Sequence, residues 1–247
     1  MIHKEELSIP HLGPAALYGQ PAQGVWLYVH GKHGCKEEAE AFAALACPKG
    51  WQVLAADLPE HGGRRDSPET CTPWDAVPEL QRLLDYAQER WAKTALRCTS
   101  LGAWFSLLAF AGMGLGVVEQ ALLVSPVLDM ERLIRDMMDW AGVDEARLER
   151  EGEIPTEFGE TLSWRYLQYA REHPVDRWTV PTAVLYAGRD NLTRRETAEA
   201  FIRRFGCELT VMEDGEHWFH TPPQLAILRA WEEERISSIL SRKFQPF

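Results

Sequence analysis

Three residues far apart in the chain carry the side chains needed for nucleophilic acyl transfer: Ser100 in Cys98-Thr99-Ser100-Leu101-Gly102, Asp190 in Ala187-Gly188-Arg189-Asp190, and His217 in Gly215-Glu216-His217-Trp218. A serine hydroxyl attacks a carbonyl poorly near neutral pH unless a base takes its proton. An imidazole titrates close to that pH, and once protonated it needs a carboxylate on its other ring nitrogen. The tetrahedral oxyanion that follows needs two donors, and backbone N–H groups at a helix start or in a glycine-rich turn suit that task. Such chemistry requires no metal or organic cofactor.

Each of these residues stands where a strand ends. A β-type run begins near Thr94 and a helix-like apolar run covers residues 102–113, so Ser100 falls on a strand-to-helix turn. A sharp elbow there lifts the hydroxyl clear of its own backbone and crowds the positions two before and two after it. Gly102 meets that demand, while Cys98 meets it only approximately. Residues 182–186 form an apolar strand that turns at Gly188-Arg189-Asp190, and residues 208–212 form another that leads to His217. Upstream, the apolar run at 25–29 suits a strand buried on both faces and ends in His30-Gly31-Lys32-His33-Gly34.

The chain order Ser100, Asp190, His217 resembles the nucleophile, acid, base order of the α/β-hydrolase superfamily. It differs from the orders of chymotrypsin-like and subtilisin-like proteases. The His30-Gly31 turn resembles the family's oxyanion loop, and Asp57-Leu58-Pro59-Glu60-His61-Gly62 resembles its Asp-x-x-Gly-His-Gly loop, with Glu60 where glycine is usual. The resemblance runs from about Leu17 to about Lys243. It implies an α/β fold: a mostly parallel sheet with helices on both faces, and a small helical cap inserted after the sixth strand. The core is then residues 1–128 and 179–247, and the cap 129–178. It also implies that Ser100, Asp190 and His217 are catalytic and that the backbone N–H groups of Leu101 and Lys32 form the oxyanion hole.

A serine at the elbow disfavours the branches with aspartate there, the haloalkane dehalogenases and epoxide hydrolases. The implied activity is hydrolysis of a small carboxylic ester through an acyl-enzyme, in an esterase or serine aminopeptidase-like branch. Amides and thioesters use the same machinery, and a catalytically weak ligand-binding member keeps the same fold. These alternatives stay open. Candidate pocket residues are His33, Trp140, Trp164 and Trp218, with Phe158 and Tyr166 also available from the insertion. Some family members take their acid from the end of the sixth strand, which makes Asp129 the rival of Asp190. His220 shares a helical spacing with His217, but no third metal ligand is evident. His30 and His61 read as packing residues, and Asp214 and Glu216 as solvated loop charges.

Composition narrows the partners. The net charge is −11, with 26 basic against 37 acidic residues and no basic cluster, which argues against nucleic acid or an anionic membrane. A small-molecule acyl substrate acting on a monomer or homodimer is the expectation. With 45% hydrophobic residues in 247, the chain buries a core without disulfides. Its five cysteines are scattered at 35, 47, 71, 98 and 207, as free thiols in a reducing compartment would be. The first residues lack the apolar core of a secretory signal, so the expected location is cytoplasmic. Residues 98–118 carry no charge, yet serine and several glycines divide them into a strand end, a turn, a helix and a loop.

From residue 25 onward, apolar strands alternate with amphipathic helices, the pattern of a parallel sheet covered on both sides. Strands are expected at 25–29, 52–56, 95–98, 120–124, 182–186 and 208–212, and helices at about 36–46, 74–92, 101–112, 193–205 and 222–241. Residues 7–10 and 15–18 suit antiparallel edge strands. The interval 129–178 breaks the alternation: it is helical in pattern at 130–140 and 160–172, with a charged, irregular middle.

Overall fold

A computed structural model describes residues 2–112 and 116–241, with side chains to residue 237. Met113 and Gly114, at the end of the expected third helix, and Lys243 lie outside the described residues. The elements are β1 (Lys4–Ile9), β2 (Gly13–Tyr18), β3 (Gly24–Val29), α1 (Ala39–Ala46), β4 (Trp51–Ala56), α2 (Pro73–Gln88), β5 (Lys93–Thr99), α3 (Ser100–Phe110), β6 (Ala121–Val124), α4 (Met130–Ala141), α5 (Glu145–Glu151), β7 (Glu153–Pro155), β8 (Thr161–Ser163), α6 (Trp164–Glu172), β9 (Thr182–Arg189), α7 (Arg195–Phe205), β10 (Glu208–Glu216) and α8 (Pro222–Ser241).

The main sheet has the order β1-β2-β4-β3-β5-β6-β9-β10. The first two strands pair antiparallel with each other, β2 pairs antiparallel with β4, and every later pairing is parallel. The expected edge strands are therefore present, and the six inner and far strands lie where the apolar runs placed them. Strand β3 is buried along its whole length, as its unbroken apolar run requires. Its residues alternate between two cores: Val25, Leu27 and Val29 belong to the one that includes Leu84, Phe105 and Phe201, while Trp26 and Tyr28 pack on Phe42 in the other, which also includes Trp231. Helices α2, α3 and α7 thus cover the first face, and α1 and α8 the second.

Parallel strands connected in this way carry their loops to the carboxyl edge of the sheet, which is where open α/β sheets present ligand sites. Ser100 follows β5, Asp190 follows β9 and His217 follows β10. Among the described residues no helix is long and apolar enough to cross a membrane. The uncharged stretch that begins at Cys98 holds the end of β5 and then the 11 residues of α3.

The segment between β6 and β9 departs from its expected detail. Its irregular middle contains helix α5, capped by the Asp144 carboxylate on Arg147 N–H and stopped at Gly152. Instead of one helix over 160–172, residues Thr161–Ser163 pair as β8 with β7 in a short hairpin, and α6 begins only at Trp164. Arg171 joins Glu131 of α4 and Glu145 of α5, and Arg194 grips the buried Asp136 of α4 at 2.6 and 2.9 Å. Asp129 does not end the sixth strand, which stops at Val124; its carboxylate caps α4 by accepting the Arg132 N–H at 2.9 Å.

Candidate active site

Ser100 sits at φ 48°, a left-handed backbone that L side chains rarely adopt, and it is the first residue of α3. Helix α3 therefore starts at the serine itself. The crowding expected of the elbow is measurable at Gly102, where a Cβ would lie 2.2 Å from the His30 carbonyl oxygen. Cys98 is accommodated because its side chain leaves the elbow for the core, fully buried, with Sγ donating to Ser106 Oγ at 3.2 Å.

The three chemically competent side chains meet. His217 Nδ1 donates to Asp190 Oδ2 at 2.8 Å, which leaves Nε2 free to accept the Ser100 hydroxyl at 2.7 Å. The Asp190 side chain is fully buried and that of His217 is 15% exposed. The second carboxylate oxygen of Asp190 accepts the N–H groups of Leu192 and Thr193 at 2.8 and 2.9 Å, an Asx turn that fixes its orientation. These two donors are backbone groups with no signature of their own in the sequence; the signal is Asp190 itself, a residue type whose carboxylate accepts backbone N–H groups just after it.

The loop after β3 passes against the elbow: a Cβ on Gly31 would stand 3.2 Å from Ser100 Cβ. Within this loop Gly34 N–H donates to Gly31 O and His33 N–H to His61 Nε2. Among the described residues, neither the Lys32 N–H nor the Leu101 N–H donates to a protein acceptor. The Lys32 side chain reaches outward and pairs with Glu160 of the segment between β7 and β8.

Two neutral histidines brace the loops. Leu58 N–H donates to His30 Nε2 at 3.0 Å, so the ring carries its proton on Nδ1 and donates to the Gly31 carbonyl at 2.8 Å. His61 accepts from His33 N–H and donates through Nδ1 to Pro59 O at 2.7 Å. Glu60 has φ 62°, the backbone reason glycine is usual there, and its carboxylate accepts the Cys71 N–H. Burial lowers the His30 pKa from 6.5 to about 4 and also lowers that of His61. The unfolded chain therefore binds more protons than the folded one between these values, and stability falls as pH drops from 6.5 toward about 4. Melting temperatures across that window are expected to decline in the parent and to decline less steeply in His30→Gln.

The remaining candidates are spread more widely. His33 is exposed with φ 65°. Trp218 is 74% exposed and stacks on His220 at 4.8 Å, and Trp140 is 52% exposed and packs edge-on against Phe158. Trp164 is half-buried at the start of α6. The aromatic contacts that join this segment to the body come instead from Tyr166, against Trp74 of α2 and Trp104 of α3, and from Tyr169 against Trp74. His217 and His220 lie in the bend before α8 rather than on a helix face, and among the described residues no three His, Cys, Asp or Glu side chains are grouped to hold a metal ion. Asp214 is solvated and pairs with Arg189, and Glu216 lies near His220.

No family model matches the amino-acid sequence, and a search of curated proteins finds no match. Solved structures do match over nearly the whole chain. Est1E from Butyrivibrio proteoclasticus, in a structure with ferulic acid bound, is 19% identical with a TM-score of 0.76, covering 97% of this chain and 96% of its own. Mouse alpha/beta hydrolase domain-containing protein 10 is 15% identical with a TM-score of 0.75, covering 96% and 99%. The Pyrococcus furiosus esterase Pf2001 is 16% identical with a TM-score of 0.66, covering 98% and 92%. Sequence identity this low carries architecture rather than activity, and with the strand order and the elbow after β5 it establishes that the chain has the α/β-hydrolase fold.

Proposed function

We propose that the protein is a serine hydrolase that cleaves a small carboxylic ester through an acyl-enzyme on Ser100. The observation that carries this reading is the continuous hydrogen-bonded line from Asp190 through both nitrogens of His217 to the Ser100 hydroxyl. In the proposed reaction His217 Nε2 takes the hydroxyl proton as Ser100 Oγ attacks the ester carbonyl. Asp190 holds the ring in the required tautomer and compensates the charge it gains. The N–H groups of Leu101 and Lys32 then receive the oxyanion, and His217 returns the proton to the departing alkoxide. Water, activated by the same imidazole, attacks the acyl-enzyme and frees the acid.

A fluorophosphonate probe tests this directly. Its adduct is expected on the peptide containing Ser100, and a protein that stays unlabelled, or is labelled elsewhere, overturns the assignment. A panel of acyl esters, thioesters and aminoacyl amides at equal concentration is expected to show the fastest turnover with small esters. The esterase named among the structural neighbours supports that ordering without deciding it.

We further propose that residues 129–178 roof the site. Support comes from the Lys32–Glu160 ion pair, which ties this segment to the loop beside Ser100, and from Tyr166 packing on Trp104 of α3. A wall of this kind contacts remote atoms of the substrate rather than the reacting bond. Trp164→Ala or Trp140→Ala is therefore expected to shift acyl chain-length preference on the order of tenfold, the scale of a few methylenes in an apolar pocket, while leaving the rate with the smallest ester nearly unchanged. Unaltered chain-length profiles in both variants would remove the roof from the reading.

A further inference from the structure

Arg97 lies within β5 and is only 4% exposed. It points to the face covered by α1 and α8, where two nitrogens of its guanidinium serve one carboxylate oxygen and the third serves a hydroxyl. Nε donates to Glu232 Oε1 at 2.9 Å, Nη2 lies 2.8 Å from the same oxygen, and Nη1 donates to Thr99 Oγ1. The guanidinium carbon also stands 4.7 Å from the centre of the Tyr28 ring. Buried ion pairs can often be replaced by apolar residues of similar volume with no loss of stability, so stability alone does not account for a charge here.

The partners supply the reason. Tyr28 is in β3, which runs directly into His30-Gly31-Lys32. Glu232 is in α8, the helix that follows the His217 bend. Thr99 precedes Ser100, and its carbonyl oxygen and Cγ2 stand 3.5 and 3.6 Å from where a Gly31 Cβ would be. One guanidinium thus touches the residue before the nucleophile, the helix that follows the bend of the base, and the strand that runs into the loop beside them. We propose that Arg97 is a positioning residue that, through Thr99, Glu232 and Tyr28, holds the serine elbow, the His217 bend and the Gly31-Lys32 turn in their working arrangement. This rests on the reading of Ser100 as the nucleophile. Lysine carries its donors on one nitrogen and has no planar face, so it cannot span Glu232 and Thr99 while also stacking on Tyr28.

The test uses the full chain, with kcat and KM for p-nitrophenyl acetate, the rate of fluorophosphonate labelling, and a melting curve for each variant. Thr99→Val removes one hydroxyl and keeps the branched shape. It is expected to lower kcat and the labelling rate about tenfold, at a temperature well below unfolding and with KM unchanged, since a displacement of about 1 Å or less suffices for such a loss. Thr99→Ser, which keeps the hydroxyl, is expected to restore both rates. Arg97→Lys is expected to lose at least as much as Thr99→Val; should it fail to fold, the Thr99 pair decides. Parental rates in Thr99→Val, or a loss that Thr99→Ser does not restore, overturn the positioning role. Ser100→Ala in parallel separates the two readings: turnover surviving in that variant removes the nucleophile assignment, whereas silent Ser100→Ala with parental Thr99→Val removes only the role of Arg97.

Discussion

Ser100→Ala is expected to lower ester turnover by about a million-fold, because a nucleophile, its base and its carboxylate act as a unit and removing the serine leaves nothing for His217 to activate. The fold should survive the change. The hydroxyl contributes one hydrogen bond, to His217 Nε2, while the elbow is held by the Gly102 contact with the His30 carbonyl and by Val127 N–H bonding the Ser100 carbonyl. Serine already bears the left-handed φ of 48°, so alanine inherits that backbone without added strain and stability is anticipated to change little. Purified variant protein with the parent's melting curve, within a few degrees, and no turnover above background is the predicted outcome. Turnover within a hundredfold of the parent, in protein free of contaminating esterase, would show that the acyl group travels through another residue.

Much of this arrangement was legible in the amino-acid sequence because each candidate catalytic residue coincides with a change of period. The apolar run of β5 stops at an elbow where Gly102 leaves no room for a side chain, and β3 ends where two glycines let the chain turn against it. Strand β3 is buried on both faces, which leaves no polar alternation to confuse the reading. Cys98 looked like a defect in the motif. It is tolerated because β5 alternates and places that side chain in the core, where Ser106 meets its thiol.

What escaped the sequence has equally physical causes. Helix α5 buries a single residue, Leu148, so it shows no apolar stripe, and only the Asp144 cap and the Gly152 stop betray it. Strands β7 and β8 have three residues each, too few for a period of two to register. The Lys32–Glu160 and Arg97–Glu232 pairs join positions more than a hundred residues apart, and a charge in an apolar strand does not name its partner. Asp129 rivals Asp190 in the sequence because both follow strands; in the structure Asp190 meets the His217 ring, whereas Asp129 caps α4.

That difference underlies the second large effect. Asp190→Asn is expected to lower kcat/KM about ten-thousand-fold while leaving KM and stability nearly as they were. The asparagine carbonyl can keep the Leu192 and Thr193 N–H bonds that Asp190 Oδ1 now accepts, so the Asx turn persists. Its amide nitrogen then replaces Oδ2 opposite His217 Nδ1, setting donor against donor. The ring relieves this by moving its proton to Nε2, where it faces Ser100 and can no longer accept the hydroxyl proton. Asp129→Asn offers the control, since asparagine caps a helix as well as aspartate and the α4 bond to Arg132 N–H is retained. Its rate should match the parent's. If Asp129→Asn proves the more damaging of the two, or Asp190→Asn keeps a tenth of the parental kcat/KM, the carboxylate at the end of β9 is not the one that orients the base.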